Sequence, residues 1–366
     1  MLLQSLIVYL TLLAFMAFFA YRSQYNGKKL QILFTILGFA IVFGCRYGVG
    51  VDMLAYKRIY DQLLQYGTIP DNIETGYVYL MELCTYFNCH YSVYFTLIAF
   101  LQILFSILAL RNSKEIWSWY CFALILCCQW LSLCNGMRQA LAYSIFAYAL
   151  TFIPKRKWLI HYSLIIIMST IHKSALVLLP IYPLLTYRKN WFNNIKLQLL
   201  LLAVSLILMK VGIISTALSY CESIINALGY NGYLDSAYAS KVSKEVSAGI
   251  GFIITILIFI FCICYSNKVK KFYADTMMPY FYNLFFVGVI LKYLFISSQL
   301  FSRVNWYFLN FDVFIIAFTL AYLHKTRNNM FYILLCLCLL TFVAVILRGD
   351  ENTAYFYFFW QQNLYR

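Results

Sequence analysis

The chain has 366 residues, of which 63% are hydrophobic and only 11% charged. A soluble globule needs a polar skin that this composition cannot supply, so a bilayer is the expected solvent. The formal net charge of +15 does not point to nucleic acid, because the Lys and Arg residues stand in short clusters between apolar runs rather than on one soluble module.

Apolar segments close to the length needed to cross roughly 30 Å of hydrocarbon at about 1.5 Å per residue follow one another along the chain. They run Leu2 to Ala20, Leu30 to Cys45, Tyr91 to Leu110, Ile116 to Leu133, Met137 to Ile153, Trp158 to Ile171, Lys173 to Tyr187, Ile195 to Ser215, Ala248 to Tyr265, Pro279 to Ser297, Arg303 to Leu323 and Phe331 to Leu347. The pattern predicts an all-α integral membrane protein of about ten to twelve transmembrane helices in one polytopic domain over residues 1–366. The first run has no basic n-region and no small-residue cleavage site, so it reads as a retained span. Aromatic residues make up 20% of the chain, which suits interfacial belts and a ring-lined cavity. The twelve Cys residues show no CxxC spacing, and Cys127, Cys128, Cys262, Cys264, Cys336 and Cys338 read as small buried hydrophobes.

With both termini outside, more than half of the Lys and Arg residues fall in short inward loops, among them Lys155 to Lys157, Arg188 with Lys189, and Lys268 to Lys271. That is the bias the positive-inside rule expects. Two outward segments are longer than turns, 46–90 and 216–247, and are the candidate functional loops. The first contains Tyr77 to Phe87, too short and too polar to span, which reads as a helix lying at the membrane interface.

Ionisable groups at membrane depth are costly and therefore mark sites. Four clusters fall on the outward side. The block Cys45 to Asp52 brings Arg46 and Asp52 to the membrane boundary. In Asn135 to Gln139, a helix starting by Asn135 would set Asn135, Arg138 and Gln139 on one stripe, and a guanidinium flanked by amides is a good receptor for a phosphate. His172 and Lys173 sit between two apolar stretches of roughly 22 Å each, too short for their tip to reach the far surface, so an imidazole able to exchange a proton near neutral pH would stand at the floor of a wet depression. Arg303 opens the eleventh span, and Lys292 and Asp312 lie on neighbouring helices where an internal ion pair is expected. No metal-ligand spacing and no Walker motif occurs, so neither a metal nor a cofactor is expected. The cavity wants an anion.

Taken in order, RYGVGVD (Arg46 to Asp52), ETGY (Glu74 to Tyr77), NGMRQALA (Asn135 to Ala142), IHKSALVLLPIY (Ile171 to Tyr182), RVNWYF (Arg303 to Phe308) and YFYFFW (Tyr355 to Trp360) make the chain resemble the EpsG-type branch of the Wzy O-antigen and exopolysaccharide polymerases over nearly its whole length. The resemblance implies a helical bundle like those of the GT-C glycosyltransferases in the bacterial cytoplasmic membrane. It implies a growing glycan on undecaprenyl pyrophosphate as donor, attacked by a hydroxyl of a lipid-linked repeat unit on the periplasmic face. By that analogy Arg46, Arg138 and Arg303 hold pyrophosphate charge, with Asn135, Gln139 and Lys173 beside them, and Asp52, Glu74 or His172 is the base. A chain-length regulator and a flippase of the same pathway are the implied partners. A lipid-linked oligosaccharide flippase and a membrane O-acyltransferase are the rival readings. Paired halves, expected of many transporters, are missing, and the inward loops are short for an acyl-CoA site.

Overall fold

The computed structural model describes residues 1–27, 29–71, 73–211, 249–296, 298–349 and 354–364. They form two compact units, residues 1–187 with 338–366, and residues 188–337. The expected outward loop 216–247 lies outside the described residues.

In the first unit α1 (Leu2–Asn26) and α2 (Lys29–Gly44) are antiparallel neighbours, and α2 packs on α5 (Tyr91–Ala109). Between them lie a two-residue strand β1 (Arg46–Tyr47) and two helices, α3 (Met53–Tyr66) and α4 (Thr75–Tyr86). The second of these is the helix expected at Tyr77 to Phe87. The first was not anticipated, although Met53, Tyr56, Tyr60 and Leu63 form its buried stripe at helical spacing.

The expected span Ile116 to Leu133 is broken. α6 (Trp117–Leu126) and α7 (Gln129–Asn135) meet at 71°, with Cys128 left-handed at φ 54. A left-handed residue ends the i to i−4 ladder, and the bend delivers Trp130 onto Tyr9, ring centroids 4.3 Å apart. A second break at Gly136 separates α7 from α8 (Met137–Leu150). Gln102, buried on α5, donates to the carbonyls of Leu133 at 3.2 Å and Met137 at 3.3 Å, satisfying groups that such a break exposes. α8 packs on α9 (Trp158–Ile171), which is followed by a 3-10 turn Lys173–Leu178 and α10 (Ile181–Tyr187).

The chain returns to this unit along the C-terminal half of its last long helix. There β2 (Tyr357–Phe358) pairs antiparallel with β1, Arg46 against Phe358 and Tyr47 against Tyr357. The N-terminal helix fastens the same strip. Tyr9 donates its hydroxyl to the Ala354 carbonyl at 2.7 Å, Phe356 N–H donates to Ser5 Oγ at 2.8 Å, and Gln4 donates to Gln361 Oε1 at 2.7 Å. The sequence blocks Arg46 to Asp52 and Tyr355 to Trp360 thus form one small sheet.

The second unit comprises α11 (Ile195–Val211), α12 (Ile250–Phe272), α13 (Met278–Leu294), α14 (Gln299–Leu309), α15 (Asp312–Lys325) and the start of α16 (Met330–Leu347). The stretch before α11 is held by Asn283, which accepts from Trp191 N–H at 3.1 Å and donates to the Lys189 carbonyl at 2.8 Å. The expected Lys292 and Asp312 ion pair is corrected to a looser arrangement. Lys292 Nζ lies over the rings of Phe259 and Tyr293 at 5.2 and 5.8 Å, while Asp312 opens α15 and accepts from Val313 N–H at 2.6 Å. The two charges still act on each other.

Among the described residues, five helices are long and apolar enough to cross a membrane, Leu2–Tyr25, Tyr91–Ala109, Ile250–Phe272, Phe301–Lys325 and Met330–Leu347, and six if the bent pair of α6 and α7 counts as one span. That is fewer than the ten to twelve expected on apolar content alone. The physical reason is length, because the apolar helices at Leu30–Gly44, Trp158–Ile171, Lys173–Tyr187 and Met278–Leu294 are shorter. The chain is a membrane helical protein, and exposed Phe18, Ile41, Ile166, Ile207 and Leu340 are where hydrocarbon would be the neighbour. The Cys expectation is corrected in part. Cys128, Cys262 and Cys338 are buried, Cys127 is half-buried, and Cys264 and Cys336 are exposed because they fall on outward faces of their helices.

Candidate functional site

Three sequence blocks that lie far apart in the chain meet at Glu74. This residue precedes α4 in extended backbone, φ −69 and ψ 139, so its side chain is free of the helix that follows. α4 approaches the end of α9 closely because residue 76 is glycine. A Cβ there would stand 2.2 Å from Thr170 Oγ1 and 2.9 Å from the Thr170 carbonyl oxygen. That contact brings Glu74 to the break where α9 stops, at His172, whose backbone turns extended at φ −153 and ψ 111.

Arg138, in the first turn of α8, donates from Nη1 to Glu74 Oε2 at 2.6 Å. The Lys173 amide donates to Glu74 Oε1 at 3.1 Å, and His172 Nδ1 stands 3.9 Å from the same oxygen. Ser174 Oγ is 3.0 Å from His172 Nδ1. The Glu74 side chain is 9% exposed, Arg138 24% and His172 21%. A carboxylate, a guanidinium and an imidazole therefore share one partly enclosed place, the guanidinium and the imidazole being the more exposed of the three. A guanidinium presents a planar fork of donors suited to phosphate, and an imidazole can accept a proton near neutral pH.

The other expected residues are placed differently. Arg46 is 2% exposed. It donates to the Phe43 carbonyl and to Met137 Sδ, and its guanidinium carbon lies 4.6 Å over the Phe95 ring, with no room for a ligand among these neighbours. This arrangement makes it a cation that braces the start of α8, where the sequence expectation was a role on pyrophosphate. Asn135 ends α7 instead of opening the next helix, which corrects the expected single stripe with Arg138 and Gln139. Its Oδ1 accepts from Val51 N–H at 2.6 Å and would lie 2.8 Å from a Cβ at Gly50, whose φ is +92, so it shapes the turn after β1. Gln139 is buried at 3% exposure. Asp52 is exposed just before α3. Lys173 contributes its amide, with its side chain exposed. Arg303 is exposed on α14 of the second unit. Among the described residues no group of three or more His, Cys, Asp or Glu is placed to hold a metal ion.

Tyr56 on α3 was missed. It is buried, and the charges of Arg138 and Asp52 both act on it. Burial pushes its pKa above the ordinary value, against the pull of the Arg138 guanidinium. The spacing of Met53, Tyr56, Tyr60 and Leu63 is the signal that would have found it.

A family model described as the EpsG family matches residues 29–360. No curated protein and no solved structure matches the chain. Family membership suggests a polysaccharide polymerase type of function for a membrane protein. The matched range takes in Glu74, Arg138, His172 and Arg303, and the chain belongs to the EpsG family, the family of Wzy-type polymerases.

Proposed function

We propose that this chain is a membrane glycosyltransferase that polymerises polysaccharide repeat units, moving a growing glycan from a polyprenyl pyrophosphate carrier to a lipid-linked repeat on the outer face of the cytoplasmic membrane. The observation that carries the reading is the meeting of Glu74, Arg138 and His172, from three distant blocks, in a chain of the EpsG family. Counted as spans, the four shorter apolar helices would bring the described part of the bundle to nine or ten.

In this reading Arg138 meets a phosphate oxygen of the donor, and its charge offsets the negative charge that grows on the leaving pyrophosphate. The acceptor hydroxyl oxygen attacks the anomeric carbon of the donor's reducing-end sugar. The bond from that carbon to the pyrophosphate oxygen breaks, and the electron pair leaves with the lipid pyrophosphate. The hydroxyl proton goes to His172. Glu74 is the poorer choice of base because both of its oxygens already accept hydrogen bonds, from Arg138 and from Lys173 N–H. Its negative charge beside His172 favours the imidazolium formed as the proton arrives.

The test is incubation of purified protein with one lipid-linked repeat and no nucleotide sugar, followed by gel separation of the glycans. A ladder supports the polymerase. Recovery of the repeat at its original length would overturn it, and passage of the unextended repeat across a vesicle bilayer would replace it with a flippase.

A further inference from the structure

Gln102 lies inside the apolar helix α5, where an amide is costly unless its polar groups find partners. It is 2% exposed. Its Nε2 donates to the carbonyls of Leu133 at 3.2 Å and Met137 at 3.3 Å, one on each side of Gly136, whose φ −89 and ψ 61 leave the helical region. Leu133 stands in the last turn of α7, where carbonyls lack intrahelical donors, and the Met137 oxygen has a second lone pair to offer beside the ladder of α8. Met137 is gripped a second time through its side chain, whose Sδ accepts from Arg46 Nη2 at 3.0 Å. Arg46 in turn lies 4.6 Å over the Phe95 ring of α5. Arg138 follows Met137 directly. Each residue of an α-helix turns what comes after it by about 100°, so a break that shifted by one residue would swing the Arg138 guanidinium away from Glu74, which it meets at 2.6 Å.

We infer that Gln102 is a positioning residue for Arg138, its amide clamping both edges of the break at Gly136 so that the first turn of α8 presents the guanidinium to Glu74 and to a phosphate of the lipid-linked donor; this rests on the polymerase reading above. A neutral amide suits the task. One nitrogen carries two N–H donors, enough for two carbonyls, and it brings no charge that would compete with the incoming anion. A hydroxyl has a single hydrogen to give and could not serve both edges at once.

The test uses the full-length protein in detergent. Gln102→Met keeps an unbranched side chain of similar length and removes the donors. Phenylglyoxal labelling of Arg138, read by peptide mass, is expected to quicken about fivefold, and kcat to fall about tenfold with KM within about threefold of wild type. In an Arg138→Ala background, where no guanidinium is left to place, Gln102→Met is expected to change chain extension by less than about twofold. Ser106→Ala, one turn further along α5 and donating to the Gln102 carbonyl, is the control and is expected to leave the labelling rate unchanged. An unchanged rate in Gln102→Met, an equal rise in Ser106→Ala, or the full tenfold loss in the Arg138→Ala background would overturn the inference. If Gln102→Met melts well below wild type, labelling is repeated at the same interval below each protein's melting temperature, and the fivefold difference must persist. A wild-type protein that makes no ladder while Gln102 still governs Arg138 labelling sinks the polymerase reading alone, and a ladder with kcat and labelling indifferent to Gln102 sinks the inference alone.

Discussion

Arg138 and Glu74 are 64 residues apart in the chain and 2.6 Å apart in space. The pair is mostly enclosed, with the Glu74 side chain 9% exposed and that of Arg138 24%, so removing one partner leaves the other's charge less well compensated and only partly solvated. Glu74→Ala is expected to cost about 2 kcal/mol of stability, and Glu74→Gln, which can still accept a hydrogen bond, distinctly less. Melting of the purified protein in one detergent checks this. Equal melting of both variants and wild type would show that the pair contributes nothing to the fold.

Arg138→Ala should remove transition-state charge stabilisation while leaving the membrane bundle assembled. A drop in chain extension of more than about a hundredfold is expected, with cells carrying single-repeat glycan on lipid. Long glycans in that variant, at normal protein levels, would take Arg138 out of the site.

If His172 accepts the hydroxyl proton, activity must fall on the acid side, where the imidazole is already protonated and cannot serve as a base. In His172→Gln the rate should be low and that acid limb should disappear from the profile of kcat against pH. Persistence of the same limb in the variant would assign it to another group.

The close approach of α4 to α9 at Gly76 predicts a steric phenotype. Gly76→Val must push against Thr170, whose Oγ1 would be 2.2 Å from the new Cβ, at a cost of about 2 kcal/mol, and Glu74 moves with α4. Both melting temperature and activity should drop. Combining Gly76→Ala with Thr170→Ala should recover part of the loss, since it removes the nearest atom of the clash.

Ending the chain at residue 353 would delete β2 and the strip that Tyr9, Ser5 and Gln4 hold. β1 would lose its partner, and Tyr9 would lose the acceptor for its buried hydroxyl, leaving it about 1 to 3 kcal/mol less well satisfied. Lower yield and lower melting temperature are expected, read by fluorescence-detected size exclusion. A truncated chain as stable as the full one would show that the strip is dispensable.

Helix positions were legible because they are local. Each of the twelve apolar runs contains a helix, since in a bilayer every backbone group must be satisfied within its own segment. Helix breaks were less legible. Cys128 carries no sequence signature of a left-handed residue, and the turn there answers to the stacking of Trp130 on Tyr9, which is a contact between distant parts of the chain.

Charge and residue type alone marked Arg46, Arg138 and His172 as chemically loaded, because ions in an apolar chain are costly wherever they sit, and Glu74 entered only through the family resemblance. Which of them meet was decided by tertiary structure. Gly76 lets α4 lie on α9, the break at Gly136 turns Arg138 toward Glu74, and Phe95 and Met137 enclose Arg46 instead. A one-dimensional pattern encodes how each segment satisfies its own backbone and where it prefers lipid, but the distance between two side chains 64 residues apart depends on how several helices pack at once.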